Sequence, residues 1–312
     1  NTANGTSADR IVFNIAGTGV HTINVASALP AITGTVTIDA TTDDSYGVNS
    51  NRPAIILDGN NAFTGDGLVL SASADGSTIR GLVIRDFSGD GIEIQAGSDN
   101  NTIAGNYIGR LTQAGADAGA GEVNTGSGIR VLGANNVIGG VLAADRNVIA
   151  GNNNDGVTIT GAGASGNQLR GNWIGIDAAA TVELANGAQG VYIGDGAFNN
   201  TVGGSVGGAG NVIGGAAFAG IEIRGAGNVL GAEQHGHIAA VGFDTYARLL
   251  QESVAEMKGE PLPEEKEIRI DLPVRAFVPP GWLEQEALRL DLYRRISSAG
   301  DHEVLERVRT EI

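Results

Sequence analysis

A short string recurs through the first two thirds of this chain: a glycine followed by alternating apolar residues. It reads Gly67-Leu-Val-Leu, Gly91-Ile-Glu-Ile, Gly128-Ile-Arg-Val, Gly156-Val-Thr-Ile, Gly190-Val-Tyr-Ile and Gly220-Ile-Glu-Ile. Alternation with period two is the pattern of a short strand with one face buried. Each copy is followed by a second strand-like string, usually opened by Asn: Ser77-Thr-Ile-Arg, Asn101-Thr-Ile-Ala, Asn136-Val-Ile-Gly, Asn167-Gln-Leu-Arg, Asn200-Thr-Val-Gly and Asn228-Val-Leu-Gly. A third follows all but the last: Leu82-Val-Ile, Asn106-Tyr-Ile, Asn147-Val-Ile, Asn172-Trp-Ile and Asn211-Val-Ile. Three short strands per unit, separated by turns, predict one coil of a right-handed parallel β-helix, with coils stacked about 4.8 Å apart. Inward Ile, Val and Leu form its core. Gly and Asn at the corners accept left-handed backbone, and Asn side chains at equivalent corners can stack and hydrogen-bond along the axis.

The spacing between strand-opening glycines is uneven, at 24, 37, 28, 34 and 30 residues, but every second spacing is regular: Gly91 to Gly156, Gly128 to Gly190 and Gly156 to Gly220 span 65, 62 and 64. The extra residues therefore alternate between two places, after the third strand (110–127 and 176–189) and between the second and third (141–146 and 205–210). The long loops are expected on one side of the solenoid. Four less regular strings, within 10–15, 21–25, 36–39 and 54–59, are expected to form its first coils.

The chain has no cysteine, which excludes disulfide scaffolds, thiolate zinc sites and thiol catalysis. Up to Ala219 there are 8 Arg and no Lys against 18 Asp+Glu, and the whole chain carries −16, so charge alone does not suggest a general nucleic-acid binder. No run is long and apolar enough to span a membrane as a helix. The chain opens at Asn1, within a pattern and without Met, and is read as a fragment or processed form.

Residues 9–231 resemble the large secreted bacterial right-handed β-helix repeat proteins of the pectin-lyase-like superfamily. The resemblance rests on Ile11-Val-Phe-Asn-Ile, Leu29-Pro-Ala-Ile-Thr, Gly81-Leu-Val-Ile and the Gly-Asn-(Tyr/Trp)-Ile-Gly motifs at 105–109 and 171–175. It implies an extracellular or surface location and, for most such proteins, a non-catalytic scaffold that is adhesive or takes a glycan or other surface ligand. Pectin-active members use clustered carboxylates for acid–base work or to hold calcium. The candidates for such a cluster are Asp86 with Asp90 and Glu93; Asp43-Asp44 and Asp177 with Glu183 are further pairs. Solvated loop carboxylates that keep a sheet surface soluble are the competing reading. No complete catalytic site, cofactor or metal site is predicted: His21 is the one histidine of this half, and Arg80, Arg85 or Arg130 would have to replace a lyase lysine. Tyr107, Trp173 and Tyr192 either stack on sugar rings or pack at corners.

After Gly231 the pattern breaks. Val241, Tyr246, Leu249, Leu250, Val254 and Met257 fall at helical spacing, Ile268-Arg-Ile-Asp-Leu alternates like a strand, and 283–297 reads as an amphipathic helix. The fold class expected for the whole is mainly β: a β-helix over 1–231, then a small, truncated α+β or helical segment over 232–312. From about residue 220 the chain resembles the C-terminal part of the bacterial transcription-repair coupling factor, a superfamily-2 DNA translocase. The matching strings are Ile221-Glu-Ile-Arg-Gly-Ala-Gly-Asn-Val-Leu-Gly-Ala-Glu-Gln-His-Gly-His-Ile, Val241-Gly-Phe-Asp-Thr-Tyr, Asp271-Leu-Pro-Val and Leu288-Arg-Leu-Asp-Leu-Tyr-Arg-Arg-Ile. The resemblance places Arg224 and Gln234 at polar coupling positions of the translocation motif, and the residues from Glu267 on at the start of the terminal regulatory domain. Its implied partners are DNA, RNA polymerase and the excision-repair damage-recognition protein, in the cytoplasm. No Gly-rich loop ending in Gly-Lys-Ser/Thr occurs, so Arg224 and Gln234 have no motor here. His235 and His237 sit within the matching string and are not read as a metal site. Two readings remain, a chimera joined across the string 220–231 and a natural two-domain protein; the first requires only the overlap seen. A poorly capped solenoid end would favour self-association.

Overall fold

The computed structural model describes residues 9–224, apart from 18 and 61. Three parallel sheets make up this part. Sheet A contains Asp9–Val12, Val36–Asp39, Thr78–Arg80, Thr102–Ala104, Val137–Gly139, Gln168–Arg170 and Thr201–Val202. Sheet B contains His21–Asn24, Ile55–Asp58, Leu82–Arg85, Tyr107–Gly109, Val148–Ala150, Trp173–Ile174 and Val212–Ile213. Sheet C contains Leu68–Leu70, Ile92–Ile94, Ile129–Val131, Val157–Thr160, Val191–Gly194 and Ile221–Ile223. From Leu68 on, the chain visits C, A and B in turn, and each strand pairs with the strand three further along the sequence. The fold is thus mainly β, with all sheets parallel and only two 3-10 turns and the helix Asp44–Val48 among the described residues.

The repeats predicted from sequence coincide with these strands through Ile221–Ile223. The early strings also become strands, but the first two turns of chain contribute none to sheet C; only Ile32 bridges to Leu70 there. The helix Asp44–Val48 was not foreseen. It is capped by Asp43, whose side chain accepts from the Ser45 N–H. The second half of the coil begun at Gly220, the domain boundary at 231/232, Gln234 and the whole of 232–312 lie outside the described residues.

Register explains the core. Ile92, Ile129, Val157 and Val191 stack in sheet C, Ile79, Ile103, Ile138 and Leu169 in sheet A, and Ile84, Ile108, Ile149 and Ile174 in sheet B. Each of these side chains is fully buried. Like residues stacked at one spacing fill the interior without gaps, and each buried aliphatic side chain contributes about 1.5–3 kcal/mol.

All three corners carry a buried polar ladder. Between C and A, the backbone N–H groups of Ser77, Asn101, Asn136 and Asn167 donate to the Oδ1 of Asn101, Asn136, Asn167 and Asn200 at 2.8–2.9 Å. Between A and B the same step runs from Asn106 through Asn147 and Asn172 to Asn211. Between B and C the N–H groups of Phe87 and Asn152 donate to the Oδ1 of Asn124 and Asn186, and the Asn124 side-chain Nδ2 donates to Asn152 Oδ1. These side chains close the hydrogen-bonding account of turns that are sealed from water.

The turns divide their labour more finely than expected. At the C–A corner the left-handed residue is the one before the ladder: Asn100, Asn135 and Asn199 at φ 60, 57 and 55°, with Gly76 and Gly166 in the other coils. The ladder asparagines themselves are not left-handed. Nor are the strand-opening glycines, whose requirement is close approach. A Cβ on Gly91 would lie 2.7 Å from both the Gly128 carbonyl oxygen and Ile108 Cγ2, so no larger residue fits between coils.

Candidate functional site

The predicted carboxylate cluster divides in two. Asp90 and Glu93 lie together on the outer side of sheet C, while Asp86, at φ 57°, turns away to join Asp58 and Glu122. Asp86 and Asp90 are four positions apart in sequence, but the B-to-C corner lies between them. Sequence proximity therefore misled, and the partners Asp58 and Glu122 come from another coil and from the loop 110–127.

In that second group, carboxylate oxygens of Asp58, Asp86 and Glu122 all lie within 4.8 Å of one another. Asp58 and Asp86 are buried. Arg85 stands beside them, with Nη2 3.0 Å from Asp58 Oδ2 and Nε 3.1 Å from Glu122 Oε2. The contact to Glu122 is an ion pair without hydrogen-bond alignment. Three carboxylates of this spacing have the donor chemistry for a hard divalent cation. The arginine supplies the countercharge and makes the group a clasp that ties the loop 110–127 to sheet B. Register places Asp58 beside Arg85 on neighbouring strands, each the charged residue that closes an otherwise apolar string.

The other group belongs to a groove of about 430 Å³ on the outer face of sheet C, lined by Asp90, Arg130, Asp155, Thr158, Tyr192 and Arg224 among others. Glu93, Arg130, Thr158, Tyr192 and Glu222 occupy one outward column, each beside the next. A second column precedes the glycines, and here carboxylates link coils. Asp66 Oδ1 accepts from the Asp90 N–H and Asp90 Oδ1 from the Ser127 N–H, both at 2.6 Å; Asp155 Oδ1 accepts from the Gln189 N–H at 2.9 Å. Burial pushes the Asp90 carboxyl up to about 6. The Ser127 N–H and Arg130 pull it down, whereas Asp66 and Glu93 raise it further. Asp90 thus keeps its proton to higher pH than an ordinary carboxyl while serving as an acceptor between coils.

The remaining sequence candidates make contacts within the fold. Burial raises the Asp43 carboxyl, but donors from Ile15 and Ser45 outweigh it and hold it below the usual carboxylate range. Asp177 is treated likewise, with the N–H groups of Val182 and Thr181 donating to Oδ1 at 3.0 and 2.7 Å, so it closes the loop 176–184 while Glu183 stays exposed. His21 Nε2 contacts the Gly17 carbonyl oxygen at 3.0 Å, with Asp43 3.9 Å away. Arg80 sits beside Asp39 on sheet A. Tyr107 and Trp173 share an outward column of sheet B with Val148 between them. Tyr107 is buried in a second apolar cluster with Ile56, Val83, Leu111, Val148 and Leu184, so corner and loop packing is its role; Trp173 is half-buried under Arg146. Tyr192 is the aromatic that reaches the groove. Arg224 pairs with Glu222 at 2.6 Å and lies 5.6 Å from the Tyr192 ring centroid.

No family model matches the chain, and no solved structure matches it. Curated relatives do. Transcription-repair-coupling factor of Mycobacterium bovis is 46% identical over 96 residues, covering 27% of this chain and 8% of the relative. The Helicobacter pylori protein of that name is 40% identical over 96 residues, covering 31% and 10%. The Bacillus subtilis protein is 37% identical over 93 residues, covering 30% and 8%. The chain spans about a tenth of the length of these curated relatives.

Proposed function

We propose that the chain joins two parts of different origin. The stretch from about residue 220 to 312 is a module of a transcription-repair coupling factor, and identity of 36–46% over 92–96 residues carries this reading. In it Arg224 and Gln234 take the coupling positions of a translocation motif, with DNA, RNA polymerase and the damage-recognition protein as the partners of the parent. The sequence holds no phosphate-cradling Gly-Lys-Ser/Thr loop, so the module has no motor of its own. The purified chain is expected to hydrolyse no ATP; DNA-stimulated phosphate release would overturn that. Independent DNA reads spanning codons 215–235 would show the junction to be a single gene and end the two-origin reading.

Residues 1–231 form a right-handed parallel β-helix that acts as an extracellular or surface scaffold. The observation behind this reading is the use made of its carboxylates: Asp43, Asp66, Asp90, Asp155 and Asp177 all accept backbone N–H groups that hold coils or loops in place. A second reading, a carbohydrate-active enzyme, has one favouring observation, the Asp90 carboxyl raised to about 6 in an open polar groove. Chain cleavage or unsaturated product from polyuronides, lost in Asp90→Asn, would establish it; no product, with and without calcium, leaves the scaffold.

A further inference from the structure

The outer side of sheet B carries a second hollow, of about 300 Å³, between the residues after the helix Asp44–Val48 and the turn 141–146. Its walls are Tyr46, Pro53, Tyr107, Val148 and Trp173, and it contains two guanidinium groups, Arg52 and Arg146. No Asp or Glu lines it, in a chain whose net charge is −16. Arg146 lies over the Trp173 ring at 4.2 Å, and its Nε donates to the Gly171 carbonyl at 3.3 Å. Arg52 reaches the Ala114 carbonyl at 3.5 Å, a marginal contact. Among the described residues neither arginine has a carboxylate within ion-pairing distance. Both act on the phenol of Tyr107: burial pushes it up, and Arg52 and Arg146 pull it down. Burial raises the Tyr46 phenol and Arg80 lowers it, with smaller raising effects from Asp39 and Asp145, which do not line the hollow.

Uncompensated positive charge beside apolar walls is an arrangement that one ligand chemistry completes. A carboxylate matches the planar fork of a guanidinium, and the pair strengthens where protein displaces water. An inorganic anion would use only the charged end. An apolar body attached to the anion would also cover the aromatic and aliphatic walls, as expected of pockets of this size. We propose that this hollow binds a small organic carboxylate, its anionic head between Arg52 and Arg146 and its flat apolar body against Tyr46, Tyr107 and Trp173.

The chain has two tryptophans, Trp173 and Trp282, so the full chain with Trp282→Phe reports from the hollow alone. Benzoate is the probe, titrated at constant ionic strength beside benzyl alcohol and sodium sulfate, with equilibrium dialysis of labelled benzoate as a second readout. Saturable change in Trp173 emission with benzoate is expected, at least tenfold weaker for either comparison compound. Arg52→Gln, an exposed position, is expected to weaken benzoate at least tenfold with an unchanged far-UV spectrum, and Arg52→Lys to fall between. Absence of saturable benzoate binding by both readouts overturns the proposal. So does equal binding of benzyl alcohol, equal binding of sulfate, or indifference to Arg52→Gln.

Discussion

Sheets B and C carry the same inward aliphatic ladder but differ on their outer faces. Outside sheet C the strands from Ile92 on alternate, and Glu93, Arg130, Thr158, Tyr192 and Glu222 form a polar column open to a groove. Outside sheet B the corresponding column begins at Thr22 and is apolar from there on, through Ile56, Val83, Tyr107, Val148, Trp173 and Val212. Loops cover the part of that column from Ile56 to Val148, while Val212 at its end is exposed. The residues after Asp44–Val48 meet the next loop where Asn49 Nδ2 donates to the Gln113 carbonyl at 3.0 Å, and that loop meets 176–184 where the Ala178 N–H donates to Gly115 at 2.9 Å. The loops 110–127 and 176–189 each fold back through one antiparallel bridge, Leu111 to Asp117 and Ile176 to Glu183. A parallel sheet covered on both faces reads as continuous apolar strings, and one left open reads as alternation. Both patterns occur here in one coil.

The contrast is sharpest for one residue type. Tyr107→Ala should cost about 3–5 kcal/mol, because it empties a buried site beneath the loops. Tyr192→Ala, on the open face, should cost less than about 1 kcal/mol. Denaturant midpoints of the two variants would measure both, and equal costs would break the comparison. Next in size is Arg85→Met. It leaves the buried Asp58 and Asp86 near Glu122 without their countercharge, for a loss of about 3 kcal/mol and faster proteolysis within 110–127. Asn147→Ala should cost about 2–3 kcal/mol, since the Asn106 N–H loses its buried acceptor. Asn152 stands in the equivalent ladder between sheets B and C, so Asn152→Ala should behave alike.

A smaller effect, of opposite sign, is expected at Asp90. Its folded pKa of about 6 lies above the ordinary carboxylate value, so the folded state holds the proton more tightly. Below pH ~4 both states are protonated and the group contributes nothing. As pH rises from ~4 to 6, stability falls, and above 6 the full cost remains, on the order of 2 kcal/mol. Asp90→Asn keeps an acceptor for the Ser127 N–H and should therefore stabilise the chain at pH 8 and do little at pH 4. Asp43 and Asp177 run the other way: their lowered pKa values contribute stability above the ordinary range that is lost as pH falls through the folded values.

Much of the fold was legible in the residues. Gly91-Ile-Glu-Ile and its copies located the sheet C strands, and the 62–65 residue double period placed the loops 110–127 and 176–189 on one side. The alternation of polar and apolar residues is a local property, repeated often enough to be unambiguous. The candidate site was less legible. Asp86, Asp90 and Glu93 are neighbours in sequence, but a corner that turns the backbone through left-handed Asp86 sends them to different faces. Nothing local distinguishes the groove-facing Tyr192 from the covered Tyr107, since both sit at the middle or start of a short apolar string.

The sequence by itself determined the three-strand repeat, its apolar core and the asparagines at its corners, because each depends on spacing along one chain and recurs in every coil. Which carboxylates meet, which aromatics are covered, and where two arginines stand without an acid were decided only in the tertiary structure. Those outcomes depend on which loop crosses which outer face, and the residues involved, such as Arg52 and Arg146 or Asp58 and Glu122, lie far apart in the chain and become neighbours only when the coils stack.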